Sequence, residues 1–335
     1  MSSLVSPERI LGAVKKEAGK IDTFMRADLH RLTPDLDPLL VEILNYGLFN
    51  GGKRIRPLLV VVASRLCGRN DDAAYSLGVA FEYLHAATLF HDDIIDQSVT
   101  RRGQPSVYQK FGTIAAILAG DYLHALAMAT VGKYAGQAGL DVFCTATSGM
   151  VDGEFMQLRN NKRHNLSELE YYEAIMGKTG LLIAAACEIG ARFGGGDVEQ
   201  VKALRQYGVN LGCAYQIIDD LLDYQGDPVK TGKVVGNDLA EGKMTLPLIL
   251  ASNRASAADK NRIMQILADD VTRAQCIAEI CTLIQKYDGF AAAGKKAEDA
   301  VAAASAALAV FADKTVAFER GLLNGLARYV LTREK

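Results

Sequence analysis

The sequence predicts an all-α protein, on three observations. Apolar residues recur at helical spacing through most of the 335 residues. Alternating β-branched runs are nearly absent, and the Asp288-Gly289 dipeptide falls between helical segments. Proline is rare, with none from Ser106 through Asp227, which leaves room for long unkinked helices.

The periodic segments lie near residues 5–31, 37–48, 55–67, 72–97, 113–135, 139–160, 168–177, 179–194, 198–224, 243–253, 258–269, 271–287, 290–312 and 314–332. The segment at 55 opens behind the flexible, basic GGKRIRP (51–57), and the one at 72 runs into HDDIID (91–96). Residues 113–130 and 179–189 are apolar nearly all round, which places both segments centrally in a large bundle. Ser167-Glu-Leu-Glu170 reads as a capping box opening the helix at 168. After the helix ending near 224 comes QGDPVKTGKVVGNDLAEGK (225–243), a glycine-rich basic loop carrying Lys230, Lys233 and Lys243. The alanine-rich stretch 291–310 is close-packed helix. No short repeat or low-complexity linker divides the chain, so a single domain spanning 1–335 is expected.

Half the residues are hydrophobic and 23% charged, enough for a sizeable core. A net charge of −2 gives no general attraction to nucleic acid or to an anionic membrane, so any anion site must be local. Six cysteines without CxxC or regular spacing read as small core residues of a reducing compartment. The N-terminus lacks an uninterrupted apolar stretch of secretory type. No uninterrupted run reaches the roughly 18–20 apolar residues of a membrane span; the best, TIAAILAGDYLHALAMATVG, is broken by Asp121 and His124. A cytoplasmic protein without transmembrane segments is expected.

HDDIID interrupts this pattern. Asp92 and Asp96 are four apart, on one helix face, with Asp93 on its shoulder. Like charges at that spacing cost about 0.2–0.5 kcal/mol per pair in an isolated helix. The same figure recurs in YQIIDDLLDY (215–224), where Asp219 and Asp223 repeat the spacing around Asp220, again ending an apolar helix. One such motif reads equally as a solvated helix end. Two, if their helices face each other, would crowd six carboxylates around one cavity unless cations fill it. Oxygen-only ligation points to a hard divalent ion, and Mg²⁺ fits because it completes its shell with water and phosphate oxygens. His91 reads as a neighbouring or structural residue.

Carboxylates holding Mg²⁺ call for a phosphate ester and for bases to meet it. GGKRIRP supplies Lys53, Arg54 and Arg56, an anion site in one reading and a solvated basic turn in the other. RRGQPS supplies Arg101 and Arg102 just past the first acid motif, and MGKTG (176–180) supplies Lys178 and Thr179. MGKTG lacks the GxxxxGK[ST] pattern and no strand precedes it, which excludes a P-loop. Two basic groups and one metal cage suit two phosphorylated substrates, only one needing metal.

The ordered set GGKRIRP, EYLH, HDDIID with RRGQPS, GKTG, YQIIDDLLD and GKVVGNDLAEGKMTLP resembles the polyprenyl synthase family of trans-isoprenyl diphosphate synthases, from about Gly51 to Lys243. The resemblance implies an isoprenoid-synthase helical bundle around a central cavity, as a homodimer, with the acid motifs facing across the cavity. It implies three Mg²⁺ among Asp92, Asp96 and Asp219, with Asp93, Asp220 and Asp223 in support. The allylic diphosphate falls to Arg101, Lys178, Thr179, Gln216, Lys233 and Lys243, and isopentenyl diphosphate to Lys53, Arg56, His85 and Arg102. Departing pyrophosphate leaves an allylic cation, the isopentenyl double bond attacks it, and a proton is lost, so no protein nucleophile is required. Tyr215 stands where the family more often has phenylalanine.

Product length is expected beside the first acid motif. Ala87 and Thr88 lie one turn before Asp92 on its face, where an aromatic closes the pocket of short-chain family members. Both are small here. Phe81 lies eleven residues before Asp92, about 16 Å deeper, as a lower floor or a core aromatic; core is the favoured reading. A medium- or long-chain product, a quinone side-chain precursor, follows, with geranylgeranyl diphosphate synthase as the runner-up. A terpene cyclase would typically alter the second motif or lack GGKRIRP, and a non-catalytic subunit would lose its aspartates. A catalytic subunit of a heteromeric synthase remains open.

Overall fold

The computed structural model describes residues 7–164, 167–226 and 236–333. In chain order the helices are α1 (Pro7–Leu32), α2 (Pro38–Leu48), α3 (Ile55–Leu66) and α4 (Ala73–Ile95). Then come the strands β1 (Thr100–Arg101) and β2 (Gln104–Pro105), followed by α5 (Val107–Phe111), α6 (Thr113–Arg163), α7 (Glu168–Ile175), α8 (Leu181–Phe193) and α9 (Val198–Gln225). The remainder is α10 (Asn237–Ala240), α11 (Leu246–Arg254), α12 (Ala257–Leu267), α13 (Asp270–Gln275), α14 (Ile277–Lys286), α15 (Gly289–Ala307) and α16 (Ala317–Thr332). The all-α expectation holds. The two segments expected at 113–135 and 139–160 are two helices that meet at a kink, the non-helical backbone of Gly136, and α6 names both.

The sequence showed no strand, yet Thr100 pairs with Pro105 and Arg101 with Gln104 in an antiparallel ribbon. Its two-residue turn places Arg102 at φ +54° and Gly103 at φ +76°. Positive φ at both positions matches the twist of paired strands, and glycine accepts it without strain. An arginine there is outside the usual turn signature, which is why the ribbon went unread.

Two compact units are built from the described chain. The first comprises the chain up to Cys144, with Ala185–Leu204 and Val310–Leu323. Its centre is α3, whose residues Leu58–Ser64 are all buried and which packs along α4. Backbones approach closely here: a Cβ on Gly190 of α8 would stand 2.5 Å from the Val60 carbonyl oxygen. Any larger residue would force α8 off α3. The second unit comprises Thr145–Ala184, Arg205–Ala309 and the chain from Asn324 on. Its centre is α11, buried from Leu246 to Ser252 and packed against α14 and α15. Ser167 caps α7 as expected, its hydroxyl accepting from the Glu170 N–H.

Two helical stretches, Thr113–Asn161 and Glu168–Phe193, are long and apolar enough to cross a membrane by length and composition. In the second, 78% of the most apolar window is buried within the chain, as in a core helix. In the first only 33% is buried. The expectation that 113–130 lies centrally is therefore corrected. Ala116, Ala119, Leu123 and Ala127 face inward, while Ile114, Ile117, Leu118 and Met128 are exposed. All-round apolarity arises because small residues pack on one face and large ones cover the other.

Candidate active site

The first acid motif ends α4. Asp92 is half-buried and Asp96 exposed, both on the open side of the last turn. Asp93 points inward and is 1% exposed, where Arg101 of β1 grips it through Nε at 2.8 and 2.9 Å and Nη2 at 2.6 Å. The middle aspartate thus holds the ribbon against the helix. Arg101, expected on the allylic diphosphate, is engaged with Asp93 here. His91 is structural, its Nε2 3.2 Å from the Ile117 carbonyl.

The basic cluster lies in the same unit. Arg54 adopts φ +51° ahead of α3 and is buried against Asp22 (2.8 Å), Glu82 (2.6 Å) and the Leu48 carbonyl (2.7 Å). It braces the turn that presents exposed Lys53 on one side and half-buried Arg56 on the other. Arg102 reaches back from the ribbon turn and donates to the Gly51 carbonyl. A Cβ on Gly52 would stand 3.1 Å from its Nη1, so a side chain there would press on the guanidinium. His85 of α4 lies among these groups. Burial, then Arg56, Arg102, Arg101 and Arg54 in turn, hold its imidazole well below the ordinary range, so it is neutral at pH 7. Burial and the Arg54 charge also lower the pKa of Arg102. Guanidiniums crowded to this degree are relieved by an anion.

The second unit holds the other set. Met176–Gly180 forms a turn of π-helix that turns Lys178 toward α6. Lys178 Nζ lies 2.9 Å from Glu154 Oε1 and 3.1 Å from Gln157 Oε1. The turn is seated glycine on glycine: a Cβ on Gly153 would stand 2.7 Å from the Lys178 nitrogen and 2.9 Å from Gly177 Cα. Thr179 donates to Gln216 (3.2 Å), Gln216 donates to Asp220 (3.1 Å), and the Tyr171 hydroxyl donates to the other Asp220 oxygen (2.6 Å). Asp220 is 4% exposed, and burial followed by nearby Asp238 pushes its pKa up to about 7. Asp219 remains 44% exposed, and Asp223 accepts from the Asp238 N–H at 3.1 Å. Lys243 bridges Asp238 (2.9 Å) and Glu241 (2.7 Å); burial opposes its charge, and the two carboxylates outweigh it and raise its pKa. Arg333 contacts Asp219 Oδ1 at 2.9 Å and covers the Tyr215 ring at 4.1 Å. Lys230 and Lys233 fall outside the described residues.

Both acid motifs divide the same way. The outer aspartates, Asp92 with Asp96 and Asp219 with Asp223, keep solvent access, while Asp93 and Asp220 turn inward onto fixed partners. Among the described residues no three His, Cys, Asp or Glu side chains converge as a ready-made metal cage. Paired carboxylates without nitrogen or sulfur donors suit Mg²⁺, which draws its other ligands from water and substrate oxygens. The residues present fit the ion.

A polyprenyl synthetase family profile matches residues 37–284. The chain belongs to the polyprenyl synthetase family. It is 34% identical over 329 residues to a short chain isoprenyl diphosphate synthase of Methanothermobacter thermautotrophicus, covering 97% of this chain and 99% of that one. It is 33% identical over 309 residues to the octaprenyl diphosphate synthase of Escherichia coli, with coverage of 92% and 94%. A crystal structure of a polyprenyl synthase from Caulobacter crescentus, complexed with calcium and isoprenyl diphosphate, superposes with a TM-score of 0.86 at 32% identity over 99% of each chain.

Within this family member the chain-length candidates lie on α4. Ala87 is 2% exposed, and Thr88 is half-buried with its hydroxyl donating to the His85 carbonyl at 2.9 Å. Phe81 is fully buried edge-on against Phe143, ring centroids 5.2 Å apart, as a core aromatic. Sequence reasoning missed Tyr171, Glu154, Gln157 and Arg333. The first three follow recognisable local cues, a capped helix and a Gly-Glu pair before glutamine. Arg333 has no local signal at all.

Proposed function

We propose that this enzyme is a Mg²⁺-dependent trans-polyprenyl diphosphate synthase that condenses isopentenyl diphosphate with an allylic diphosphate. The observation that carries it is the shared division of the acid motifs, with outer carboxylates open to solvent and the middle one locked. Asp92, Asp96 and Asp219 hold the metal. Mg²⁺ held there, three ions by family resemblance, would supply charge stabilisation for the departing pyrophosphate. Lys178, Thr179, Gln216, Lys243 and Lys233, with Arg101 once it leaves Asp93, hold the allylic diphosphate. Lys53, Arg56, His85 and Arg102 hold isopentenyl diphosphate, neutral His85 supplying a hydrogen bond without adding a further charge. Asp93, Asp220 and Asp223 position these groups.

A medium- or long-chain product, a quinone side-chain precursor, is the reading that small Ala87 and Thr88 support. Identity does not decide chain length, since a short-chain and an octaprenyl synthase resemble the chain equally well. A homodimer is supported by exposed Ile114, Ile117, Leu118 and Met128 on one stretch of α6. A cytoplasmic site is supported by six free cysteines. We further propose that both units act as one catalytic domain, since their divisions fall inside α6, α8, α9 and α16.

The test is incubation of the purified chain with radiolabelled isopentenyl diphosphate, farnesyl diphosphate and Mg²⁺, followed by sizing of the hydrolysed products. Asp92→Ala and Asp219→Ala are expected to abolish condensation with the helical content intact. Near-normal Mg²⁺-dependent turnover in either would sink the metal assignment.

A further inference from the structure

Arg333 follows α16 and its side chain is only 8% exposed, although it meets a carboxylate that is itself 44% exposed. Two contacts to α9 hold it. Its Nη2 lies 2.9 Å from Asp219 Oδ1, and its guanidinium covers the Tyr215 ring, 4.1 Å from the centroid. Tyr215 and Asp219 are one helical turn apart on α9, so the planar group spans exactly the stretch that leads into the second acid motif. Stacking of a guanidinium on an aromatic face and pairing with a carboxylate are both strong preferences of arginine, and lysine satisfies the pair less well.

This guanidinium stands against the carboxylate assigned above to the divalent ion. A divalent cation and a guanidinium drawn to the same carboxylate repel each other. Metal at Asp219 and Arg333 in this position are therefore alternatives. We propose that Arg333 is the internal counter-ion of the second acid motif, neutralising Asp219 in the ligand-free protein and giving way to the metal. The proposal rests on the metal reading of Asp219. It explains how an exposed aspartate beside buried Asp220 tolerates its charge before metal arrives.

The experiment is titration of the substrate-free protein with Mn²⁺, counting unbound ion by electron paramagnetic resonance. Arg333→Gln is expected to tighten Mn²⁺ binding about 1.5- to fivefold, the range for losing a partly exposed competing ion pair. Arg333→Lys keeps the charge without the stacked fork and is expected to fall between. Asp219→Asn is expected to weaken binding and to cancel the gain in the double variant. Mn²⁺ affinity unchanged in Arg333→Gln, with Asp219→Asn still weakening it, would overturn the counter-ion role and leave the metal reading standing. Unchanged binding in Asp219→Asn alone would remove the metal reading, and the proposal with it.

Discussion

Asp93 and Arg101 form a forked pair, with the carboxylate 1% exposed and the guanidinium closing on both its oxygens at 2.6–2.9 Å. The middle residue of the first motif is thereby buried on a fixed partner, while Asp92 and Asp96 keep solvent access.

Removing one partner of this pair isolates a buried charge. Arg101→Ala is expected to destabilise the protein by about 1–3 kcal/mol in urea unfolding, less than for a fully buried pair because Arg101 is partly solvated. Asp92→Asn, which removes an outer carboxylate, is expected to leave the midpoint almost unchanged. Equal destabilisation by the two would mean that Asp93 is not the structural member.

The glycine seat beneath Lys178 gives a second expectation. A methyl on Gly153 would press on the Lys178 nitrogen and Gly177 Cα at 2.7–2.9 Å, backbone that cannot swing aside. Gly153→Ala is expected to cost about 1–3 kcal/mol by overpacking. Because the π-turn carries Lys178, KM for the allylic diphosphate is expected to rise more than KM for isopentenyl diphosphate. An equal rise in both would place the damage elsewhere.

Much of this was legible beforehand. The helical segments, the capping box at Ser167 and both acid motifs were readable because each rests on neighbours within a few residues. What escaped depends on partners distant in sequence. Asp92 and Asp93 are chemically identical in the sequence, and only the rotation of α4 and the reach of Arg101 separate the solvent-accessible carboxylate from the buried one. Residues 113–130 read as central because apolarity alone does not distinguish a core face from a face left for a partner. Arg333 lies 114 positions from Asp219, beyond any spacing rule.

His85 carries the pH dependence. Its folded pKa lies well below that of the unfolded chain, about 6.5. The unfolded state therefore gains the proton first, and this contribution to stability is present above pH 6.5 and lost as pH falls below it. Relative to His85→Gln, the wild-type chain is expected to lose melting temperature as pH drops from 8 to 5. Inorganic pyrophosphate is expected to raise the His85 pKa by placing anionic charge beside it, read as a shift of its ring resonances. A titration unmoved by pyrophosphate would detach His85 from the anion site.

The exposed stretch of α6 makes the oligomeric expectation testable. Leu118→Glu places a charge among Ile114, Ile117 and Met128, where burial against a second copy would be costly. Sedimentation is expected to show a dimer for the native chain and a monomer for the variant. A native monomer would leave that face to another partner.

Ala87 tests the chain-length reading most directly. It is buried one turn before Asp92, and its methyl group is a small side chain at the level where an aromatic would close the pocket. Ala87→Phe adds a ring at that level, and a prenyl tail growing past it meets the ring instead of open volume. The product distribution is expected to shorten toward farnesyl or geranylgeranyl length, with the first condensation little changed because the diphosphate groups are untouched. Phe81→Ala lies deeper, in an edge-on pair with Phe143. If Phe81 is core, its loss is expected to cost about 3–5 kcal/mol of stability with no change in product length. Longer products from Phe81→Ala, with Ala87→Phe inert, would move the floor from the first acid motif down to the aromatic pair.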